Sequence, residues 1–407
     1  MNTQDLCYRK TKTALLWTSL LNEPFLALYA LMPFILRKDL EASLFQLSLF
    51  TMLKPAVSIF SFYWSSYVAC RKDRLRSNLI WAGVLARLPF LCLFFIDTVW
   101  FLIFAGAVYM LFSRAGVPAW MEILKLNMPK QKREKLFSLS QSLGYAEGIL
   151  IALALGVLLD ANASSWKLLF LLSALLGIFS TALQGQLPIQ GEKVNIERES
   201  LSLNLLKPWQ EAWRLLKNRP DFARFQWGYM AGGTGLMLMM PALAVYYADV
   251  LQLNHTDMAL GRCLFMGLGF VLSSPCWAFT MERVPFSKLN SCILLGFCLF
   301  PLLILCASFG LGWFFLAFFL WGVAQGGSHL LWNLAGTVYA GNEDSSSFTS
   351  VSILAVGLRG SVAPLLGGFF CNLAGPIPVL ILGAAACAYG SWYLLFAQRL
   401  KTLNLPQ

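Results

Sequence analysis

The stretch Arg114-Ala-Gly-Val-Pro118-Ala-Trp-Met-Glu122, the polar hinge that follows it to Lys135, and the apolar segment beyond that carries Glu147 decide how this chain is read. Two hydrophobic segments meet at a basic hinge. Each holds an ionisable residue well inside its apolar run: Arg114 in one, Glu147 in the other. A charge near the centre of a bilayer costs roughly 2.5–3.5 kcal/mol on insertion scales. Such a group persists only where it is paired or lines a watery pathway.

The rest of the chain fits a membrane setting. Of 407 residues, 58% are hydrophobic and 13% charged, against about 25% charged in soluble domains. The net charge of +11 does not indicate nucleic acid. The basic residues sit in short loops between apolar segments, where Lys and Arg collect on the cytoplasmic side. The 10 cysteines are scattered, mostly inside apolar segments, with no CxxC pair and no metal-ligand spacing. They read as small core residues, not as a disulfide framework. The first apolar run, 14–36, is too long for a signal peptide and reads as the first span.

A helical span needs about 20 apolar residues. Cutting at turn signals and charge clusters gives spans at 14–36, 44–69, 78–97, 99–123, 137–159 and 165–184, and then at 222–248, 258–280, 289–308, 311–339, 348–371 and 377–398. The expected architecture is all-α, with a bundle over 1–185, a cytoplasmic loop over 186–221 and a second bundle over 222–407. In the loop, Trp209, Trp213 and Leu216 are spaced for one face of a short amphipathic helix on the membrane surface. With the N-terminus inside, most of the 31 Lys and Arg fall on the cytoplasmic side, four on the other (Arg37, Lys38, Lys167, Arg262) and four within spans (Lys54, Arg87, Arg114, Arg359). That asymmetry places both termini in the cytoplasm.

The halves echo each other. Leu31-Met32-Pro33 recurs as Met239-Met240-Pro241, Asp73-Arg74 as Glu282-Arg283, Phe137-Ser138 as Phe348-Thr349, and Gly156 as Gly367. Each pair lies at the same place in its half and at nearly one offset. A duplicated six-span unit explains this, with a cavity near the midplane where the two copies face each other.

With these features together, the sequence resembles the major facilitator superfamily over nearly its whole length. The loop Ser66-Tyr-Val-Ala-Cys-Arg71-Lys-Asp73-Arg74-Leu-Arg76 is similar to the family's signature loop, although the family's opening glycine is missing. Pro118-x-x-x-Glu122 and Pro129-x-x-x-Arg133 are similar to the loop after the fourth span in many members. The resemblance implies a cavity lined by the first, fourth, seventh and tenth spans. It also implies a cytoplasmic gate, carried here by Asp73, Arg74, Arg76, Glu282 and Arg283.

Helix rise puts Glu23, Arg114 and Glu147 at a shared depth of roughly 14 Å. Arg114 is expected to pair with Glu23, Glu147 or both. Lys54 and Arg359 fall near the midplane on flanking spans, and Arg87 at mid-depth on an outer one. Unpaired, these six groups would cost about 15–20 kcal/mol. Four bases face two acids, so the surplus favours an anionic solute held between Lys54 and Arg359, where Arg suits bidentate capture. Gln325, Trp332 and Asn333 on the tenth span are further candidates for the binding site. His329 there fits either a titrating group or an interhelical contact. Glu23 and Glu147 are the candidates for proton coupling, because a carboxylate taken out of water favours its protonated form. Gly232-Gly233-Thr234-Gly235 reads as close packing or a local break, and Asn22-Glu23-Pro24 as a kink or an opening of the first helix.

These features lead to a secondary active transporter in a bacterial inner membrane, monomeric, moving a small organic solute by alternating access, with membrane lipid as its surroundings. Proton-coupled movement of an anion is the first expectation. Drug or metabolite efflux by antiport, and a non-transporting membrane sensor of the same fold, are the alternatives. No catalytic cluster, metal site, cofactor motif or ATP-binding motif stands in the sequence.

Overall fold

The computed structural model describes residues 3–70, 74–128, 130–162, 164–187, 207–281, 283–341 and 345–403. Among them, helices follow one another along the chain. They are α1 (Thr3–Lys38), α2 (Leu44–Cys70), α3 (Leu75–Leu91), α4 (Val99–Asn127), α5 (Lys130–Ala161), α6 (Ser165–Gly185), α7 (Lys207–Asn218), α8 (Pro220–Val245), α9 (His255–Ala259), α10 (Met266–Met281), α11 (Phe286–Cys306), α12 (Leu311–Ala340), α13 (Ser345–Ala374) and α14 (Pro376–Leu403). A π-helical turn, Leu260–Phe265, joins α9 to α10, and another, Tyr246–Val250, ends α8. Among the described residues ten helical segments are long and apolar enough to cross a membrane. The remaining long helices, α2 and α5, complete twelve. Their ends agree with the expected spans to within a few residues, α1 and α5 excepted, whose polar first turns extend them.

Prolines sit inside many of these helices without ending them: Pro24 and Pro33 in α1, Pro55 in α2, Pro241 in α8 and Pro364 in α13. In a membrane the freed carbonyls find other partners or local adjustments. The first helix is therefore not opened at Asn22-Glu23-Pro24, and α8 is not broken at its glycines.

The chain forms two compact units. One comprises Met1–Ile35, Val57–Ser202 and Asn254–Ala259; the other comprises Leu36–Ala56, Leu203–Leu253 and Leu260–Gln407. Hydrocarbon supplies no hydrophobic drive between helices, so close backbone approach at small residues does much of the holding. In the first unit α5 carries Ser140, Gly144, Gly148, Ala152 and Gly156 at four-residue spacing, which places them on one stripe. Ser19 of α1 donates to the Ser140 carbonyl at 2.7 Å. A Cβ at Gly156 would stand 2.8 Å from the Thr256 backbone, so α9 lies directly on this stripe. Phe25, Phe90, Tyr109 and Phe170 pack α1, α3, α4 and α6 together, with ring centroids 4.6 Å (Phe25–Tyr109) and 4.8 Å (Phe25–Phe90) apart.

In the second unit α8 plays the corresponding part. Gly232 receives Leu294 of α11, Gly233 the guanidinium of Arg359 on α13, and Gly235 the Gly383 carbonyl and Ala386 of α14. This is the close packing expected of the glycine run. Gly367 meets the Leu238 backbone of α8, and Gly368 meets Ser48 of α2. The amphipathic segment forms α7 as expected. Ala212, Leu215 and Leu216 dock it on the cluster of Phe222, Phe225, Phe348 and Val351, whereas Trp213 is 73% exposed. Cys7, Cys371 and Cys387 are core residues, but Cys92, Cys276 and Cys292 stand on exposed faces.

Candidate functional site

Polar side chains concentrate on α1, α3 and α6 of the first unit. Arg87 of α3 is 9% exposed. Its Nη1 donates to the Gly83 carbonyl at 2.8 Å, one turn back on its own helix, and its Nη2 donates to Asn22 Oδ1 of α1. Gly177 of α6 leaves the room the guanidinium occupies, since a Cβ there would overlap it. Asn22 Nδ2 donates in turn to the Thr18 carbonyl at 2.7 Å and to Ser180 Oγ at 3.1 Å, and Gln184 donates to Thr18 Oγ1 at 3.3 Å. Arg87 therefore ties three helices through neutral partners. It reaches α1 from what was expected to be an outer span.

Glu23 lies on the small-residue stripe of α5. A Cβ at Gly148 would stand 2.6 Å from Glu23 Oε1, and one at Gly144 3.1 Å from Oε2. Glu147 is next to Gly148 on the same helix. Glu147 Oε2 is buried with no hydrogen-bond partner. The expected ion pair is not formed: among the described residues no carboxylate oxygen comes within 4.0 Å of Arg114. Arg114 is half-buried. Helix rise sets a side chain's depth but leaves rotation about the helix axis open, and that rotation turns Glu23 toward the α5 glycines instead.

In the second unit Arg359 of α13 is 9% exposed and sits over the Tyr229 ring, with its guanidinium carbon 4.7 Å from the centroid. Nη1 donates to the Tyr229 carbonyl at 2.6 Å, and Nε has no hydrogen-bond partner. Tyr229 stacks with Trp332 of α12 at 6.2 Å. Arg359 and Trp332 are thus joined through a tyrosine that charge and spacing did not single out. The signal available was Gly233, one turn beyond Tyr229, which opens the space for the guanidinium. Lys54 of α2 is exposed. Pro55 and Gly360, the next residues after Lys54 and Arg359, touch where α2 crosses α13. His329 makes an edge contact with Phe270 of α10 at 6.0 Å, the interhelical alternative of its two readings. Gln325 is half-buried; Asn333 lies on the same helix, with its side chain outside the described part.

Two further polar junctions were not expected. Asp160, at the end of α5, accepts from the backbone N–H groups of His255 (2.8 Å) and Thr256 (2.9 Å), from Thr256 Oγ1 (2.6 Å), and faces His255 Nδ1 at 2.9 Å. Burial alone would raise the Asp160 carboxyl, but the hydrogen bonds from Thr256 and His255 outweigh it and hold the group at about 2. In the second unit Arg37 forms a forked pair with Asp249, its Nε 3.0 Å from each oxygen, and Lys38 donates to the Leu253 carbonyl at 2.6 Å. Among the described residues no group of His, Cys, Asp and Glu could hold a metal ion.

Residues 24–364 match the family model described as Major Facilitator Superfamily. The chain belongs to the major facilitator superfamily. Its fold is accordingly that of the superfamily, with twelve membrane helices in two pseudo-symmetric six-helix bundles. Solved structures with this fold include a mutant form of the nucleoside transporter NupG, with TM-score 0.72, 11% identity and 96% of this chain and 99% of that one covered. A POT family transporter in complex with a thioalcohol-conjugated peptide gives TM-score 0.70, 15% identity and 96% of each chain. A bacterial homolog of the human lysosomal transporter Spinster gives 0.65, 13%, and 98% and 96%. At these identities the likeness concerns the fold. A sequence search of curated proteins finds no match.

Of the residues expected to form the gate, Arg74 and Arg76 are exposed at the start of α3, and Arg283 lies over the Phe279 ring at 3.9 Å. Asp73 and Glu282, the acidic members of the expected gate, lie outside the described residues.

Proposed function

We propose that this superfamily member is a secondary active transporter that moves a small organic anion across a bacterial inner membrane by alternating access, coupled to protons. The observation that carries the anionic reading is Arg359. It is a guanidinium deep in the second unit that no carboxylate neutralises among the described residues, with one N–H unused, set against an aromatic pair. A charge in that position favours an anionic group that completes its hydrogen bonds, and the planar fork suits a carboxylate or phosphate. Lys54 adds positive charge at the same helix crossing. Tyr229 and Trp332 offer ring faces, and Gln325 and Asn333 polar contacts, to the rest of the solute. Glu23, against the α5 glycines with Glu147 beside it, is the proton carrier in this reading. Arg114 is a charge that their protonation state influences, without a fixed pair. The halves 1–185 and 222–407 are the bodies that rock, joined by 186–221. The gate carries Asp73, Arg74, Arg76, Glu282 and Arg283, and the protein works as a monomer with both termini in the cytoplasm.

Thermal stabilisation of the purified protein by pooled metabolites tests the substrate class. Anionic pools should raise the melting temperature, and Lys54→Gln or Arg359→Gln should remove the effect. Stabilisation by cationic or neutral pools that both variants retain would overturn the assignment.

A further inference from the structure

The second unit contains a cavity of about 610 Å³ that the transport reading does not use. Its walls come from α7, α8 and α13. They are almost entirely apolar, with Trp213, Trp227 and Leu358 standing 73%, 60% and 51% exposed. In a multi-pass membrane protein such faces meet acyl chains, not water. Two features separate this cavity from an ordinary lipid-facing crevice. The first is charge: Lys217 stands in the lining at the C-terminal end of α7, and α7 as a whole carries Lys207, Arg214 and Lys217 against Glu211 alone. The second is a buried polar atom. Gln226, 4% exposed and in the wall, gives its amide N–H to Ser352 Oγ at 2.5 Å, while its Oε1 has no hydrogen-bond partner. An amide oxygen buried without a donor marks a place where a ligand or ordered water supplies one.

We infer that this cavity is a binding site for one anionic phospholipid with a hydroxylated headgroup. The acyl chains lie between α8 and α13, the phosphate meets Lys217, and a headgroup hydroxyl donates to Gln226 Oε1. The site also accounts for how α7 is held. Among the described residues of that helix, Ala212, Leu215 and Leu216 pack on the aromatic cluster beneath it. Trp209 and Trp213 face the cavity, which Ala212 and Leu216 also line, so a lipid there completes the packing of an interfacial helix whose basic side chains attract anionic lipid. The inference is independent of the substrate and of the direction of transport.

Native mass spectrometry of the delipidated full chain, offered phosphatidylglycerol or phosphatidylcholine, tests it. One phosphatidylglycerol should be retained per chain, with a preference of about fivefold or more over phosphatidylcholine, the size expected from a single basic contact. Ala355→Trp, which fills the cavity, should remove that lipid; Ala212→Phe does the same from the α7 side should the first variant misfold. Lys217→Gln should bring the two lipids toward equal retention. In nanodiscs, hydrogen exchange of the α7 amides should slow with phosphatidylglycerol and not with phosphatidylcholine. Equal retention of both lipids by the wild type, retention of phosphatidylglycerol by the cavity-filled variants, or α7 exchange that ignores lipid would overturn the assignment.

Discussion

Glu23 and Arg359 are handled in the same way by opposite halves of the sequence: each charged head is pressed onto glycine, Glu23 onto Gly144 and Gly148, Arg359 onto Gly233. A methyl group at Gly148 would stand 2.6 Å from the Glu23 carboxylate. Gly148→Ala should therefore displace Glu23 and reduce transport at least tenfold, while the melting temperature changes little; uptake into proteoliposomes beside a thermal melt checks both. Arg87 is different in kind, since its hydrogen bonds go to Gly83 and Asn22. A lysine ammonium cannot serve two acceptors in that fork geometry. Arg87→Lys should cost about 1–2 kcal/mol of stability and leave substrate affinity unchanged; a melt with unchanged midpoint, or a changed affinity, would contradict a purely structural role. The charges themselves were legible in the sequence because an ionisable residue is conspicuous in an apolar run. Their directions were not. A helix apolar all round has no polar face against which to read rotation, so the pairing of Arg114 with an acid could not be settled from depth. Tyr229 carries no charge and did not stand out at all.

At the scale of elements, α5 presents a stripe of small residues from Ser140 to Gly156, and the Asp160 cap is its end point. Hydrogen bonds from His255 and Thr256, backbone and side chain alike, hold one carboxylate. Because the folded-state value, about 2, lies below the unfolded one near 3.9, the cap stabilises fully above about pH 4 and is lost as pH falls toward 2. Its contribution is about 2 kcal/mol or less, given the partial exposure. Asp160→Asn should remove that dependence and speed hydrogen exchange at the amides of His255 and Thr256 at neutral pH. Exchange identical to wild type would show that the cap does not hold α9. The elements were the most legible level, since run length and turn residues mark helices of this size well. Their exceptions have physical causes. The π-helical turns at Tyr246–Val250 and Leu260–Phe265 insert a residue without changing composition. The small-residue spacing of α5 was visible in the sequence, but only the contacts with Ser19, Glu23 and Thr256 give it meaning.

For the whole molecule, span count and the internal duplication carried the fold, and the family match over residues 24–364 agrees with that reading. Structures at 11–15% identity share it across nearly their full length, which shows how little of the fold depends on particular side chains. Substrate choice depends on just those side chains, so it is the part that pattern cannot convey. The central claim is that buried charges serve coupled movement of an anion. Its most direct test is uptake of the stabilising anion into proteoliposomes under an imposed pH gradient, by wild type, Glu23→Gln and Arg359→Gln, with folding of each verified by size exclusion. Accumulation that collapses when the gradient is dissipated, and that falls at least tenfold in both variants, is the predicted result. Uptake that ignores the gradient and survives both substitutions would contradict the claim.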